Sequence, residues 1–338
     1  MKRITSLLLA VTLAAGVVAG CSKPRNAYNQ PNEEPGDTTP VTLVIGQMPA
    51  PDGLPFWIAE AKGYFEQQGV HVELKTFKSA NERDAALMAG EIDGMLADPL
   101  AAATLYAAGT KVKIVSLGLG ATPEEGLFGI VSAPGSGITE VSQLKGVEIA
   151  NSQNTISHYV MEQLLLDAGL QPEDIRMVSI PSVPLRYEAV MSGQVQAALL
   201  PDPLMTLAKA SGEGATLVIH DGQTGKNYSQ TVIVFTEKAI QEKRDGIRRM
   251  LLAYNAGVAD LKLDPDRYLD LMVEKANLPV AAKIAYAGKG VPFSFAQAPK
   301  KEDLERVIQW LLDKQVIDTP LTYEELVDTS MLPNQPEQ

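Results

Sequence analysis

From Val41 onward, short apolar runs alternate with stretches in which apolar residues recur at every third or fourth position. VTLVIG predicts a buried strand. PFWIAEAKGYFEQQG predicts a helix, with Pro55 near its first turn and Gly69 as its stop. VHVELKTF alternates as a strand does, NERDAALMAGE is helical, IDGMLAD extended, PLAAATLYAAG helical and KVKIVSLGLG extended. After LFGIVSAPGSG the order begins again. VEIAN, IRMVSIP, VQAALLPD and TLVIHD predict strands, separated by the helical TISHYVMEQLLLDAG, PLRYEAVMSG and PLMTLAKASG. Such alternation is the signature of parallel α/β sheets.

The two halves share more than rhythm. MAGEIDGMLADPL begins at Met88 and MSGQVQAALLPDPL at Met191, so that Met88, Gly90, Ile92, Leu96 and Asp98-Pro99-Leu100 match Met191, Gly193, Val195, Leu199 and Asp202-Pro203-Leu204. One extra residue precedes the second Asp-Pro. The repeat marks the same point in each half and predicts two α/β lobes. From SQTVIVFTEK the chain turns from one strand to helices, which do not make a domain alone and should return to pack on the first lobe. The expected division is residues 41–131 with 231–338 for lobe 1 and 132–230 for lobe 2, with crossings near Ile130 and Ser229. Paired crossings suit a hinge that closes over a ligand.

Composition adds compartment and charge. The 338 residues are 45% hydrophobic and 21% charged, with a net charge of −12, which argues against nucleic acid or anionic lipid as a charge-driven partner. Lys2 and Arg3 precede an apolar run, Leu7 to Val18, too short to span a bilayer. VVAGC, ending on the sole cysteine, Cys21, resembles the bacterial lipoprotein processing site, which implies a signal peptide at 1–20 and lipidation of Cys21. Residues 21–40, rich in Pro, Asn, Glu and Thr, read as a flexible tether. The expected location is the extracytoplasmic face of a membrane.

In parallel sheets, ligands gather beyond the carboxyl ends of the strands, where helix N-termini offer free N–H groups. Asp98 and Asp202 stand at such turns, and equally suit the role of helix caps, with proline at the first helical position. The runs DGLPFWIAEAKGYFEQQGVHVEL, ALMAGEIDGMLADPLAA, ANSQNTISHYVMEQLLLDAGLQPEDIRMVSIP and AVMSGQVQAALLPDPL together resemble the substrate-binding proteins of ABC importers, in the group for nitrate, sulfonates, taurine and thiamine-precursor pyrimidines. The resemblance implies a two-lobed periplasmic-binding-protein fold, two crossing strands, C-terminal helices on the first lobe, and a monomer that delivers a small-molecule solute to ABC permease subunits. It also implies a pocket. From lobe 1 would come Asp52, Gly53, Leu54 and Pro55, then Ser79 and Ala80, then Asp98. From lobe 2 would come Asn154, Thr155 and Ser157, then Pro184 and Tyr187, then Asp202. Trp57 stacks on a flat ligand or packs in the core, and Tyr228 reaches in from the second crossing or remains in the hinge.

The cleft loops MPAPDGLPF, GLGATPEEG, NSQNTIS and LPDPL contain no Lys or Arg, and Arg83, Arg186 and Lys226 read as solvated surface charges. That favours a neutral or cationic heterocycle, such as a thiamine-precursor pyrimidine, over a sulfonate or nitrate. An enzyme on this scaffold is the rival class, as in the fungal thiamine-pyrimidine synthases, which rely on a cysteine-rich motif and histidines. Here the one cysteine lies at the N-terminus, and His71, His158 and His220 have no metal-ligand spacing, so neither catalysis nor a cofactor nor a metal is expected. A solute sensor would use the same closure.

Overall fold

In the computed structural model, which describes residues 41–333, the apolar runs form ten strands and the periodic stretches eleven α-helices. The chain begins β1 (Val41–Gln47), α1 (Leu54–Ala61), α2 (Tyr64–Gln67), β2 (Val70–Thr76), α3 (Ala80–Met88), β3 (Gly94–Ala97), α4 (Pro99–Ala107) and β4 (Val112–Leu117). It continues through β5 (Phe128–Ser132), β6 (Glu148–Asn151), α5 (Ile156–Asp167), β7 (Arg176–Ser179), α6 (Val183–Met191), β8 (Ala197–Pro201), α7 (Leu204–Ala210) and β9 (Thr216–His220). It ends with β10 (Val232–Thr236), α8 (Glu237–Leu263), α9 (Leu269–Lys275), α10 (Lys301–Asp313) and α11 (Tyr323–Leu326). The expected signal peptide, the tether and Cys21 lie outside the described residues.

The strands make two five-stranded sheets, ordered β2-β1-β3-β10-β4 and β7-β6-β8-β5-β9. In each, the fourth strand runs antiparallel to its neighbours and is the one that has crossed from the other half of the chain. The repeated motif ends β3 and β8, which hold the same place in the two sheets. This is the two-lobed α/β architecture that the sequence predicts.

The first crossing lies earlier than expected. β5 pairs with β8 and β9, with Ile130 opposite Leu199 and Ile219, so the chain leaves the first sheet after Leu117 and the second begins at Phe128 rather than after residue 131. FGIVS is a short apolar run that either sheet would bury, so nothing local to it specifies its partners. The long first helix also differs. It breaks into α1 and α2 at Gly63, whose φ of 67° a side chain would strain.

The last third packs on lobe 1 through α8 against α1 and β1, and through α10 against α4. It also reaches lobe 2. Residues 280–285 lie on α7, while Trp310 Nε1 and Lys314 Nζ of the α10 end donate to Glu162 of α5 at 2.8 and 2.6 Å. One apolar cluster runs through both lobes, joining Leu100, Ile114 and Val234 to Ile149, Tyr159, Leu164 and Trp310. The lobes are therefore joined by shared core as well as by the chain.

Candidate functional site

The crossings decide where the site must be. Gly118 N donates to Thr231 O at 2.8 Å, so the exit from β4 lies beside the entry to β10. Phe128 N donates to Asp221 Oδ1 at 3.0 Å, so the exit from β9 lies beside the entry to β5. Both links thus run between the carboxyl ends of the parallel strands of the two sheets, and turn those ends toward each other. In such sheets these are the ends that bind ligands.

In lobe 1, Asp52 follows β1 within the turn Pro51–Gly53, and Asp98 follows β3. Burial pushes the Asp52 carboxyl up to about 7, opposed by Arg83 and reinforced by the charge of Asp98, so the two carboxyls share one neighbourhood. Burial also raises Asp98, against its bond from Ala101 N at 2.9 Å and the charge of Arg83. Gly53, Leu54, Pro55 and Trp57 support this turn from beneath. A Cβ on Gly53 would stand 2.6 Å from the Trp57 ring, Leu54 and Trp57 belong to the core, and Trp57 Nε1 donates to Gln47 Oε1 at 3.1 Å. Ser79 caps α3, accepting from Glu82 N at 3.3 Å, and Ala80 opens that helix.

In lobe 2 the loop after β6 is tied by its own side chains. Asn151 Oδ1 accepts from Ser152 N at 2.8 Å, and Asn151 Nδ2 donates to Ser157 O at 3.0 Å. Thr155 Oγ1 donates to Ser152 O at 2.8 Å and lies 2.8 Å from Ser157 Oγ. Asn154 takes a φ of 56°, accessible to asparagine, and its N–H donates to His158 Nδ1 at 3.3 Å. His158 Nε2 lies 3.3 Å from Glu162, and the ring meets Trp310 edge-on, which makes it a partnered helix residue. Asp202 Oδ1 accepts from Thr206 N and Oγ1 at 3.0 and 2.7 Å, and burial raises its carboxyl. Tyr187 is half-buried at the edge of a small lobe-2 core cluster, and Pro184 lies in the first turn of α6.

Tyr228 stands apart from these. Its hydroxyl bonds Asp167, its ring meets Tyr159 edge-on at 5.8 Å, and only 2% of it is exposed. It lies in the second crossing, where its phenol bonds an acid at the far end of α5.

Several residues escaped the sequence reading. Arg83 and Arg186, expected as solvated charges, are 3% and 1% exposed. The repeat carries the signal, since each arginine stands five residues before its matched methionine. Lys226 is exposed, as expected, and pairs with Asp167 at 2.8 Å. Glu125, in the first crossing, accepts from Gly120 N and Ala121 N at 3.1 and 2.9 Å and from Ser294 Oγ at 2.6 Å. Tyr254 bonds Gly118 O at 3.0 Å and lies within the influence of Asp52 and Glu125. Tyr286 and Lys289 stand near Asp202. Nothing in the sequence links residues 286–294 to the strand ends, because their approach is made by the fold of the last third.

Comparison with known proteins agrees with this geometry. The family described as NMT1/THI5 like matches residues 50–268. A 4-amino-5-hydroxymethyl-2-methylpyrimidine phosphate synthase of Saccharomyces cerevisiae, THI13, is 26% identical over 163 residues, covering 48% of this chain and 46% of the yeast protein. The chain thus spans about half the length of the yeast synthases it matches. A Brucella abortus protein described as a binding protein is 26% identical over 234 residues, covering 67% of this chain and 70% of that one. The fold is shared with the periplasmic aliphatic sulphonate binding protein SsuA of Escherichia coli, at a TM-score of 0.73 and 18% identity, over 89% of this chain and 95% of that one. With two sheets of one strand order, and a family match that spans both of them, the chain belongs to the NMT1/THI5-like family.

Proposed function

We propose that this protein is a solute-binding receptor of an ABC importer, lipid-anchored through Cys21 on the extracytoplasmic face of a membrane and closing its lobes over a small polar organic molecule. The observation that carries the reading is the pairing of the crossings, which turns the carboxyl ends of two like sheets toward one another and sets Asp98 and Asp202 at equivalent helix starts. Such a frame captures and releases by hinge motion. The binding-protein fold of the sulphonate receptor and the name of the Brucella relative support the same role.

The solute we favour is an amino-heterocycle of the thiamine-precursor pyrimidine class. Asp52 and Asp98, held half-buried and raised, suit the ring nitrogens and amino group of such a base, since a carboxyl accepts or donates there as the ligand requires. The yeast relatives carry an aminopyrimidine phosphate in their name. The proposed contacts are Asp52, Ser79, Asp98, Asn154, Thr155, Ser157, Tyr187 and Asp202.

A thermal-shift screen tests this, with thiamine-precursor pyrimidines, thiamine, taurine, alkanesulfonates and nitrate. A ligand at a hundredfold excess over its Kd stabilises a one-site protein by about 2.7 kcal/mol. A shift with the pyrimidines is expected. A shift with nitrate or simple alkanesulfonates alone would overturn the choice of solute, and conversion of a bound compound would overturn the receptor.

A further inference from the structure

The last third of the chain meets lobe 2 at two places, and the two contacts are built differently. At the first, α10 lies between α4 of lobe 1 and α5 of lobe 2. Leu304, Val307 and Leu311 share one apolar cluster with Leu100 and Leu105 of α4 and with Tyr159 and Leu164 of α5. Glu162 of α5 adds polar ties. Its Oε2 accepts from Trp310 Nε1 at 2.8 Å, and its Oε1 accepts from Lys314 Nζ at 2.6 Å and lies 3.3 Å from His158 Nε2. Burial opposes the charge of this carboxylate, but the bonds from His158, Lys314 and Trp310 outweigh it and hold the group down to about 2. The Trp310 ring is packed as well, edge-on to His158 at 5.2 Å and to Tyr159 at 5.8 Å.

At the second place, residues 280–285 rest on α7 without such ties. Ala285 and Tyr286 belong to the lobe-1 cluster, whereas Met205 and Ala208 of α7 belong to a separate cluster of lobe 2. Among the described residues, no hydrogen bond or ion pair joins residues 277–291 to α7. Val280 and Ile284 are exposed beside it. Breaking charge-assisted bonds inside a shared core orphans buried polar groups, whereas two cores that only abut can part without doing so. We propose that Glu162 clamps α5 to α10 as a pivot, so that the lobes part along the seam between residues 280–285 and α7.

This rests on the receptor reading and gives its closure a direction. Glu162 is none of the proposed solute contacts, so it acts on affinity through the balance of open and closed forms and not by touching the solute.

Spin-label distance measurements on the whole chain carrying Cys21→Ser test this. One pair, Lys209→Cys with Ile284→Cys, spans the seam; the other, Leu166→Cys with Gln309→Cys, spans the clamp. Without solute, the seam pair should give two populations or one broad one, and the clamp pair a single narrow one. Glu162→Gln should broaden the clamp pair, a change that a loss of stability alone does not produce in a folded variant. A narrow seam pair, a broad clamp pair in the chain that keeps Glu162, or a clamp pair unmoved by folded Glu162→Gln overturns the proposal. Should Glu162→Gln fold poorly, the two distributions with Glu162 in place still decide it. Adding a thiamine-precursor pyrimidine, taurine, an alkanesulfonate or nitrate separates the two readings. If the seam moves as expected and none of these draws it to its shorter distance, the clamp stands and the receptor reading fails. If one of them closes the lobes by moving the clamp pair, the receptor stands and the clamp falls.

Discussion

Asp98 and Asp202 follow equivalent strands in the two sheets, and each carboxylate accepts from the first turns of the next helix, Asp98 as the N-cap of α4 and Asp202 from the residue before the N-cap of α7, Pro203. Asp98 Oδ1 accepts from Ala101 N, whereas Asp202 Oδ1 accepts from both the N–H and the hydroxyl of Thr206. The extra residue before Asp202 in the repeat accompanies this difference. These bonds account for Oδ1 of each carboxylate.

Capping and binding are separable by charge. Asp98→Ala should destabilise the fold by about 1 kcal/mol, as other cap truncations do, and weaken the solute as well. Asp98→Asn preserves a good cap, so it should stay within about 0.5 kcal/mol of wild type while still weakening a basic solute. The same pair applies to Asp202. Chemical denaturation beside a binding titration decides the matter. Variants that lose stability and keep full affinity would leave both aspartates as caps alone.

The pH dependence of stability has a defined sign. Asp52 and Asp221 are each raised by burial from 3.8 to about 7, so the folded chain holds their protons more tightly than the unfolded one. Their contribution is complete below the ordinary carboxylate range and is lost as the pH rises through about 7. Asp52→Asn removes its share, and should gain about 4 kcal/mol on wild type at pH 8 and little at pH 4. Melting curves across that range check this. Affinity for a cationic solute should rise over the same interval, as the Asp52 carboxylate ionises.

Trp57 is expected to serve the turn and not the ligand face. It is 1% exposed, and its Nε1 is bonded to the buried Gln47. Trp57→Ala should cost about 3–5 kcal/mol. Trp57→Phe should cost less, about 1–3 kcal/mol, for the Gln47 oxygen left without its donor, and should hold affinity near the wild-type value. A loss of affinity in folded Trp57→Phe would place the indole against the solute.

Asp221 ties the crossings together, accepting from Phe128 N at the entry to β5 and from the Ser229 hydroxyl in the return segment. Asp221→Ala leaves a buried N–H unpaired and should destabilise by about 1–3 kcal/mol. Because these bonds join the two crossings, on the proposed receptor reading the variant should also change the rate of ligand release, read by stopped-flow, more than the same loss of stability produced elsewhere.

Membrane attachment is testable apart from the fold. Cys21→Ser should move the protein from the membrane fraction to the soluble one and abolish incorporation of labelled fatty acid. Unchanged fractionation would show that the VVAGC run is not a lipidation site.

Local pattern determined much of this protein. The periods of apolar residues placed nearly every strand and helix, and the repeat at Met88 and Met191 announced two like lobes with Asp98 and Asp202 at matched helix starts, because periodicity and capping act within a few residues. Only the tertiary structure decided the rest. It gave FGIVS to the second sheet, since an apolar run suits any interior and its hydrogen-bonding partners lie far along the chain. It brought Tyr286, Lys289 and Ser294 from the last third to the strand ends, an approach with no sequence period. It buried Arg83 and Arg186, which carry the same letter in the sequence, and set them in opposite electrostatic states, one beside Asp84 and one with neutral acceptors alone, because a charge's environment is made by whatever the fold packs around it.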